Sequence, residues 1–340
     1  MTERDLATEP QRTQRKFPLR TLRILALYSL LALLLYFALR NAPLIDIWNA
    51  LNNLKLWQIG SILLINAFVI TCMTARWWII VHAENPAVPF LSLVGYRLSV
   101  FAVSYITFGP QVGGEPLQVI YLQRNHGLTF ARAASAVMLD KLLEFLVNFV
   151  LIGVGAWATL RVGLVSDNGN RLTLSLIGLA VLLALPLLQI ILLYKGFHPI
   201  SRLLLRQPFL KEDSKTVRLI IVAERMASAF CRKHMRSMIL AITVSFAALA
   251  GIIFEYYLMI GFLGMQITGI QIFVALTAMQ ISFLMPLPGG LGALEASQVF
   301  ALGAFGQGAS AAISLTLLMR ARDILNGGIG LLLAGKGITK

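Results

Sequence analysis

Long apolar runs recur along most of this chain, and they constrain its fold more than any other feature. A helix needs about 20 mainly apolar residues to cross the ~30 Å hydrocarbon layer of a bilayer. Only 13% of the residues are charged, against about 25% in a typical soluble domain. The sequence therefore predicts an all-α polytopic membrane protein with eight apolar segments, at 22–39, 57–81, 91–108, 131–160, 172–195, 237–263, 268–285 and 308–334.

Two shorter helical pieces, at 112–125 and 290–304, each follow a stretch rich in proline and glycine. Proline removes a backbone donor and glycine adopts conformations that other residues avoid, so both stretches are expected to turn sharply. The residues assigned to the two turns are Pro110, Gly113 and Gly114 in the first and Pro288, Gly289 and Gly290 in the second.

The distribution of charge predicts the orientation. The chain carries 29 basic and 15 acidic residues, and residues 1–23 and 195–236 are strongly basic, as is the C-terminus with Lys336 and Lys340. Cytoplasmic loops of membrane proteins are enriched in Lys and Arg. We therefore expect an integral protein of the cytoplasmic membrane with both termini inside, and external loops within the uncharged stretch 256–294. Binding of nucleic acid, the other interpretation of a basic chain, is not expected.

This orientation limits the number of crossings. An even number of spans must precede the linker 196–236, yet five apolar segments do so. The conflict disappears if 91–108 and 112–125 form a re-entrant hairpin entering from the cytoplasm, because about 14 residues of helix cover only ~21 Å. The same parity makes 268–285 and 290–304 a second hairpin entering from outside. We predict about six full transmembrane helices plus two re-entrant helical hairpins, an arrangement typical of inverted repeats.

Irregular backbone at membrane depth is tolerated only where protein or water covers its polar groups. The two turns therefore predict a polar cavity between the halves of the chain, whereas tight turns in external loops are the alternative. Four arginines flank the first hairpin and agree with an inner position for its ends: Arg76, Arg97, Arg124 and Arg132.

The predicted organisation is one integral membrane domain, 22–335, after a polar cytoplasmic tail, 1–21. Its halves, 22–195 and 237–335, are joined by the basic linker 196–236. Four basic residues of the linker recur every seventh position, which favours an amphipathic helix on the inner leaflet; a solvated linker with accidental spacing is the alternative. These residues are Lys211, Arg218, Arg225 and Arg232.

Ionisable residues inside the apolar segments are the candidates for function, because each costs about 2.5–3.5 kcal/mol at the bilayer centre and usually has a partner or a role. Glu115 and Glu295 follow the two turns and are expected to line the gate of the cavity. Arg320 and Arg322 have the planar fork suited to a phosphate. The alternative is that the charges only pair with one another, as Arg320 and Asp323 do if they meet at i, i+3. The remaining candidates, expected on the opposite wall, are Asp140, Lys141 and Glu144.

Two motifs resemble the signatures of a known family, the lysylphosphatidylglycerol synthase transmembrane region. The first runs from Gly113-Gly114-Glu115 through Leu122, Gly127 and Ala133 to Leu139-Asp140-Lys141, and the second from Leu287-Pro288-Gly289-Gly290-Leu291-Gly292 to Glu295, Gly306 and Arg320. The resemblance covers about residues 20–335. It implies a flippase-like membrane domain that handles anionic or polyprenyl-phosphate lipids. Relatives often have a basic residue where this chain has Gln118, and Arg where it has Lys141.

Motifs of soluble enzyme chemistry are absent from the sequence, which has no H-E-x-x-H, phosphate-loop or nucleophile-elbow pattern. Cys72 and Cys231 form neither a disulfide framework nor a metal motif. We expect no catalytic residue, no metal and no cofactor.

The expected function is binding or translocation of a phosphate-bearing lipid, anionic or polyprenyl-phosphate, across the membrane. The competing hypothesis is a non-transporting membrane subunit that scaffolds a lipid-modifying glycosyltransferase or aminoacyltransferase. An intramembrane enzyme acting on lipids is a third. Partners under these hypotheses are membrane lipids with phosphate headgroups and, in the second, the modifying enzyme.

The predicted orientation is tested by cysteine labelling in sealed cells with a reagent that does not cross the membrane. A cysteine introduced at 214, in the linker, should remain unlabelled, whereas one at 265 or 266 should react. Labelling at 214 would contradict the parity argument and both hairpins with it.

Overall fold

The computed structural model describes residues 52–106, 113–164, 169–206, 215–285, 287–290 and 292–338. The polar tail 1–21, the segment expected at 22–39, the turn residue Pro110, the linker residue Lys211 and the terminal Lys340 lie outside these ranges.

Within the described ranges the regular structure is helical, with no strand. The helices are α1 (Leu56–Glu84), α2 (Phe90–Ile106), α3 (Glu115–His126), α4 (Phe130–Arg161), α5 (Gly169–Tyr194), α6 (Pro199–Leu205), α7 (Lys215–Lys233), α8 (Met235–Phe262), α9 (Gly269–Leu284), α10 (Ala293–Gly303) and α11 (Ala309–Ile338). A short 3-10 turn, Pro288–Gly290, precedes α10. The predicted all-α class is confirmed, and both short pieces after the proline and glycine turns are helices.

Among the described helices, two, α1 and α8, are long and apolar enough to cross a bilayer by length and composition. The hairpin helices are shorter: α3 has 12 residues and α10 has 11. At 1.5 Å per residue each extends only roughly 16–18 Å, well below the ~30 Å of hydrocarbon. The number of full spans and the re-entrant path of the hairpins stay predictions.

The burial pattern is inverted relative to a soluble protein. Leu64, Phe300 and Leu332 expose 70%, 80% and 73% of their surface, while Arg76 exposes 1% and Asp140 none. Soluble domains rarely bury charges so completely while presenting large aliphatic and aromatic side chains outward. A bilayer favours this arrangement, because lipid covers the apolar exterior and charged groups pair within the bundle.

The helices pack in a reciprocal pattern. The first arm of each hairpin packs on the long helix of the other half, α2 on α11 and α9 on α4. Each short helix packs on the long helix of its own half, α3 on α4 and α10 on α11, and α1 packs on α8. Contacts in which each half packs a hairpin helix on the long helix of the other half are expected of two repeats related by a twofold axis.

Glycines permit the two cross-half contacts. A Cβ on Gly330 of α11 would meet the backbone carbonyl of Leu98 in α2, and the Ser99 hydroxyl donates to the Gly330 carbonyl at 3.0 Å. A Cβ on Gly155 of α4 would meet the Thr277 side chain in α9. Small residues allow membrane helices to approach this closely.

The linker contains α6 and the amphipathic helix α7. Val217, Ala227 and Phe230 are buried, whereas Arg225 and Arg232 are exposed. α7 packs on α4 and α5 through this apolar face. The buried Glu224 carboxylate accepts hydrogen bonds from the backbone amides of Ile200 and Ser201, at 2.9 and 2.7 Å, and so joins α7 to the start of α6.

The native cysteines are poorly placed to react in a labelling experiment. Cys72 is 9% exposed and Cys231 1%. Burial raises the pKa of the Cys231 thiol to about 11, so that little of the reactive thiolate forms near neutral pH. In the loop after α8, Met265 is buried and Gln266 is exposed, so a probe belongs at 266.

Close packing of α2 on α11 predicts a strong position dependence for glycine substitutions. Gly330→Ala should lower the melting temperature of the purified protein, because the added methyl meets α2 backbone; overpacking costs about 1–3 kcal/mol. Gly328→Ala, two residues earlier in open space, should have no destabilising effect, since alanine is the better helix former. Equal melting temperatures for the two variants would contradict the close approach.

Candidate functional site

Glu115 joins the turn of the first hairpin to α4. Its Oε2 accepts a hydrogen bond from the backbone amide of Gly113 at 2.8 Å, and its Oε1 lies 3.1 Å from Lys141 Nζ. Gly113 has φ 139°, a value that few other residues adopt. The carboxylate at the start of α3 thus stabilises both the strained turn and the contact with α4.

Glu295 has the same arrangement in the second hairpin. Its Oε2 accepts from the backbone amide of Gly292 at 2.9 Å, and its carboxylate pairs with Arg320 of α11. In each half, therefore, a glutamate at the start of the short helix accepts an amide of the glycine turn and pairs with a cation of the following long helix. This shared geometry supports the internal repeat suggested by the sequence.

Arg320 is enclosed by protein acceptors. Nε and Nη2 donate to the two oxygens of Glu295 at 2.5 and 2.9 Å, and Nη1 donates to the Tyr105 hydroxyl at 3.3 Å and to the Gly289 carbonyl at 3.2 Å. Four of the five guanidinium donors are used in this way. The sequence left open whether Arg320 binds a phosphate or pairs with another charged residue such as Asp323. The structure pairs it with Glu295, and Asp323 binds Arg322 instead.

Asp140 is the centre of a buried network in the first half. Its two oxygens accept from Arg76 Nε at 2.6 Å and from Arg97 Nη1 at 2.7 Å. Both arginines also reach Glu144, at 3.1 and 3.4 Å, and Lys141 lies 3.0 Å from the same carboxylate. Because the partners come from α1, α2 and α4, the network joins three helices.

Arg322 forms a second network, in the other half. Its Nη1 donates to Glu255 Oε2 of α8 at 2.9 Å, and its Nε and Nη2 both donate to Asp323 Oδ1, at 3.0 and 2.8 Å. Nearby, the Asn326 amide donates to Asn66 Oδ1 at 2.9 Å, which links α11 to α1.

A cavity of about 240 Å³ lies between these networks. Seven helices contribute to its walls: α1, α2, α3, α4, α8, α9 and α11. Much of the lining is apolar and includes Met73, Phe101, Met259, Met279 and Phe283. The charged lining consists of Arg97, Glu115, Lys141, Glu144, Glu255, Arg322 and Asp323.

Five of the eight candidate residues from the sequence line this cavity: Glu115, Lys141, Glu144, Arg322 and Asp323. The other three lie behind its wall. Asp140 is fully buried and holds the cavity-lining Arg97, while Arg320 and its partner Glu295 reach the cavity only through Tyr105. The sequence predicted Asp140 on the cavity wall. In the structure Asp140 lies behind that wall and supports it through Arg97.

Several residues of the site were missed as candidates. Arg76 and Arg97 were interpreted as flanking charges, yet they are 1% and 12% exposed and bind Asp140. Both lie inside predicted apolar segments, so the criterion that selected Arg320 would have found them. Tyr105, Asn66 and Gln280 carry no comparable signal, because neutral polar residues are common in membrane helices.

The charges of the two networks and of the pairs Glu115–Lys141 and Glu295–Arg320 nearly cancel. Counting every group as ionised, five cations face six carboxylates, and the excess negative charge lies in the Arg322 network, where two carboxylates share one guanidinium. Among the described residues, no group of three or more His, Cys, Asp and Glu side chains is arranged to hold a metal ion.

Comparison with known proteins identifies the family of this chain. No curated protein matches the chain significantly. Residues 22–327, which include both hairpins and every residue of the two charged networks, match the family described as lysylphosphatidylglycerol synthase TM region. The chain therefore belongs to the lysylphosphatidylglycerol synthase transmembrane-region family of membrane proteins.

Proposed function

We propose that this protein binds the headgroup of a phosphate-bearing lipid in the central cavity and carries it across the membrane while the acyl or polyprenyl tail remains in the bilayer. The observation that carries the proposal is the cavity itself. Three cations from three helices, Arg97, Lys141 and Arg322, line it together with four carboxylates, and much of the remaining wall is apolar.

The size of the cavity favours a headgroup over a whole lipid. A volume of about 240 Å³ is below the roughly 300–1,000 Å³ of sites that enclose drug-sized ligands. A phosphate with a small substituent fits such a volume, and the tail must lie outside it. The exposed apolar surface of the bundle, which includes Leu64 and Phe300, is compatible with a tail in contact with lipid.

The cations that line the cavity are already paired with carboxylates, so a headgroup must exchange with them. Lys141 lies between Glu115 and Glu144, and Arg322 lies between Glu255 and Asp323. A phosphate accepts the same hydrogen bonds as a carboxylate, and a guanidinium can bind it through two parallel bonds. Exchange of one anion for another keeps the cation paired, whereas the displaced carboxylate loses its partner and must be compensated in another way.

Arg320 has a positioning role in this proposal rather than the phosphate contact expected from the sequence. It holds α10, the Gly289 turn and Tyr105 of α2 together. Gly289 is suited to this place, since its φ is 57° and a Cβ would come within 3.0 Å of the Tyr105 ring. The second hairpin is thus held by several bonds, whereas the first is held to α4 by the more exposed Glu115–Lys141 pair.

The difference between the two arginines of α11 is testable with one conservative change at each site. Arg322→Lys should weaken binding of a phosphate-bearing lipid about tenfold, or ~1.4 kcal/mol, because an ammonium lacks the fork. Arg320→Lys should mainly lower the melting temperature, because it loses the paired bonds to Glu295. Fluorescent phosphatidylglycerol in phosphatidylcholine nanodiscs reports binding, and a thermal melt reports stability. The reverse assignment of effects would contradict the proposed roles.

The two hairpin glutamates should differ in the same way. Glu115→Gln should leave the melting temperature close to that of the wild type, since Lys141 keeps Glu144, but should slow lipid movement severalfold. Glu295→Gln should lower the melting temperature clearly, since Arg320 is 4% exposed and loses its carboxylate. Thermal melts and a headgroup-accessibility assay in liposomes measure the two effects. Equal destabilisation by both changes would contradict the difference between the hairpins.

The liposome assay also separates translocation from the scaffold hypothesis. A transporting protein makes labelled phosphatidylglycerol of the inner leaflet accessible to an external quencher, and Arg322→Lys reduces this rate. A subunit that only scaffolds a lipid-modifying enzyme leaves the inner-leaflet lipid protected.

A further inference from the structure

Glu255 of α8 is a buried carboxylate with one unsatisfied oxygen. The residue is 1% exposed and lines the cavity. Its Oε2 accepts from Arg322, and the Asn66 side chain lies close to the carboxylate, but Oε1 has no donor with hydrogen-bond geometry in the described part of the chain. A buried polar atom without a partner is costly, and most such atoms in folded proteins are satisfied.

The charge around Glu255 is unbalanced. Arg322 gives one donor to Glu255 and two to Asp323, so that one cation faces two carboxylates. The adjacent groups Asn66 and Asn326 are neutral amides bonded to each other. They cannot cancel the remaining negative charge.

The charges on the other walls are engaged elsewhere. Arg97 of α2 binds Asp140 and Glu144, and Lys141 of α4 binds Glu115 and Glu144. The groups that face Glu255 across the cavity from the remaining elements are neutral or already named. The charged or titratable groups among them are Arg97 and Tyr105 of α2, Glu115 of α3, Lys141 and Glu144 of α4, and Arg322 and Asp323 of α11. The neutral polar groups include Asn66 of α1, Gln118 of α3, Asn148 of α4 and Gln280 of α9.

We infer that Glu255 is a proton-binding site and that its protonation releases Arg322 to bind the phosphate of the lipid headgroup. This inference rests on the proposed function and adds its coupling ion. The proton comes from water and forms an O–H bond at the unsatisfied Oε1. A metal cation in the same place would need several oxygen ligands, and the described residues form no such group.

Release of Arg322 follows from charge. Neutral Glu255 no longer attracts the guanidinium as strongly, so Nη1 becomes available to an incoming phosphate. The lipid anion and the proton then bind together, and the charge of the site is the same before and after both have bound. By linkage, a ligand that takes up one proton binds up to about tenfold more tightly for each unit by which pH falls.

The wild-type protein provides the first test. The dissociation constant of fluorescent phosphatidylglycerol in phosphatidylcholine nanodiscs should fall as pH is lowered from roughly 8 to 5, by up to about tenfold per unit. A phosphodiester keeps its single charge over this range, so the change comes from the protein. Calorimetry in two buffers of different ionisation enthalpy should show uptake of about one proton per lipid bound. Uptake of none would overturn the inference.

A pair of variants identifies the group. Glu255→Gln should bind the lipid with little dependence on pH, at the affinity that the wild type reaches at low pH. Glu84→Gln, at the end of α1 and away from the cavity, should retain the wild-type pH dependence. If Glu255→Gln keeps that dependence, another group takes up the proton and the inference is wrong. If affinity at constant pH follows the sodium concentration instead, the site binds sodium.

An infrared pH titration separates this inference from the proposed function. The wild type should show a protonated-carboxyl C=O band that appears on acidification and is missing in Glu255→Gln. If no form binds lipid but the band is present, the proposed function fails while Glu255 remains a proton site. If the band is absent and Glu255→Gln also unfolds, the wild-type titration alone overturns the inference.

Discussion

Charged side chains surrounded by apolar helices must find partners inside the protein, and the rest of this structure depends on that requirement. The partners come mainly from different helices. Arg76 and Asp140 join α1 to α4, Arg320 and Glu295 join α11 to α10, and Arg322 joins α11 to α8 through Glu255. The same ion pairs that neutralise the charges therefore hold the bundle together, and they leave a cavity between the two networks.

The two halves use the same local geometry with unequal strength. In each hairpin a glutamate accepts an amide of the glycine turn and binds a cation on the next long helix. The Lys141 ammonium contacts both Glu115 and Glu144. Arg320 binds Glu295 through two hydrogen bonds and also donates to the Tyr105 hydroxyl and the Gly289 carbonyl. A guanidinium is the more directional group. We therefore expect the first hairpin to move more easily than the second, although the two share the same local geometry.

A nearly neutral cavity suits transport better than a strongly cationic one. A site with several free arginines would hold a phosphate tightly and release it slowly, whereas paired cations can exchange one anion for another. Under the proposed function, the extra carboxylate at Glu255 extends the same principle, because a proton bound there would balance the charge of the lipid headgroup. Binding and release then differ by a small free energy, as movement through a membrane requires.

The sequence by itself determined the helical class, the position of the turns and the identity of most charged residues, because apolar runs, glycine and proline act locally along the chain. It also gave the family through the two motifs. Partner choice was not predictable. The spacing allowed Arg320 to pair with Asp323 but did not decide its partner, and in the structure Arg320 binds Glu295, 25 residues earlier in the chain. Only the tertiary structure brings Arg76 and Arg97 to Asp140. Contacts between helices depend on packing angles and on close approaches at glycines such as Gly330, and neither produces a periodic pattern in the sequence.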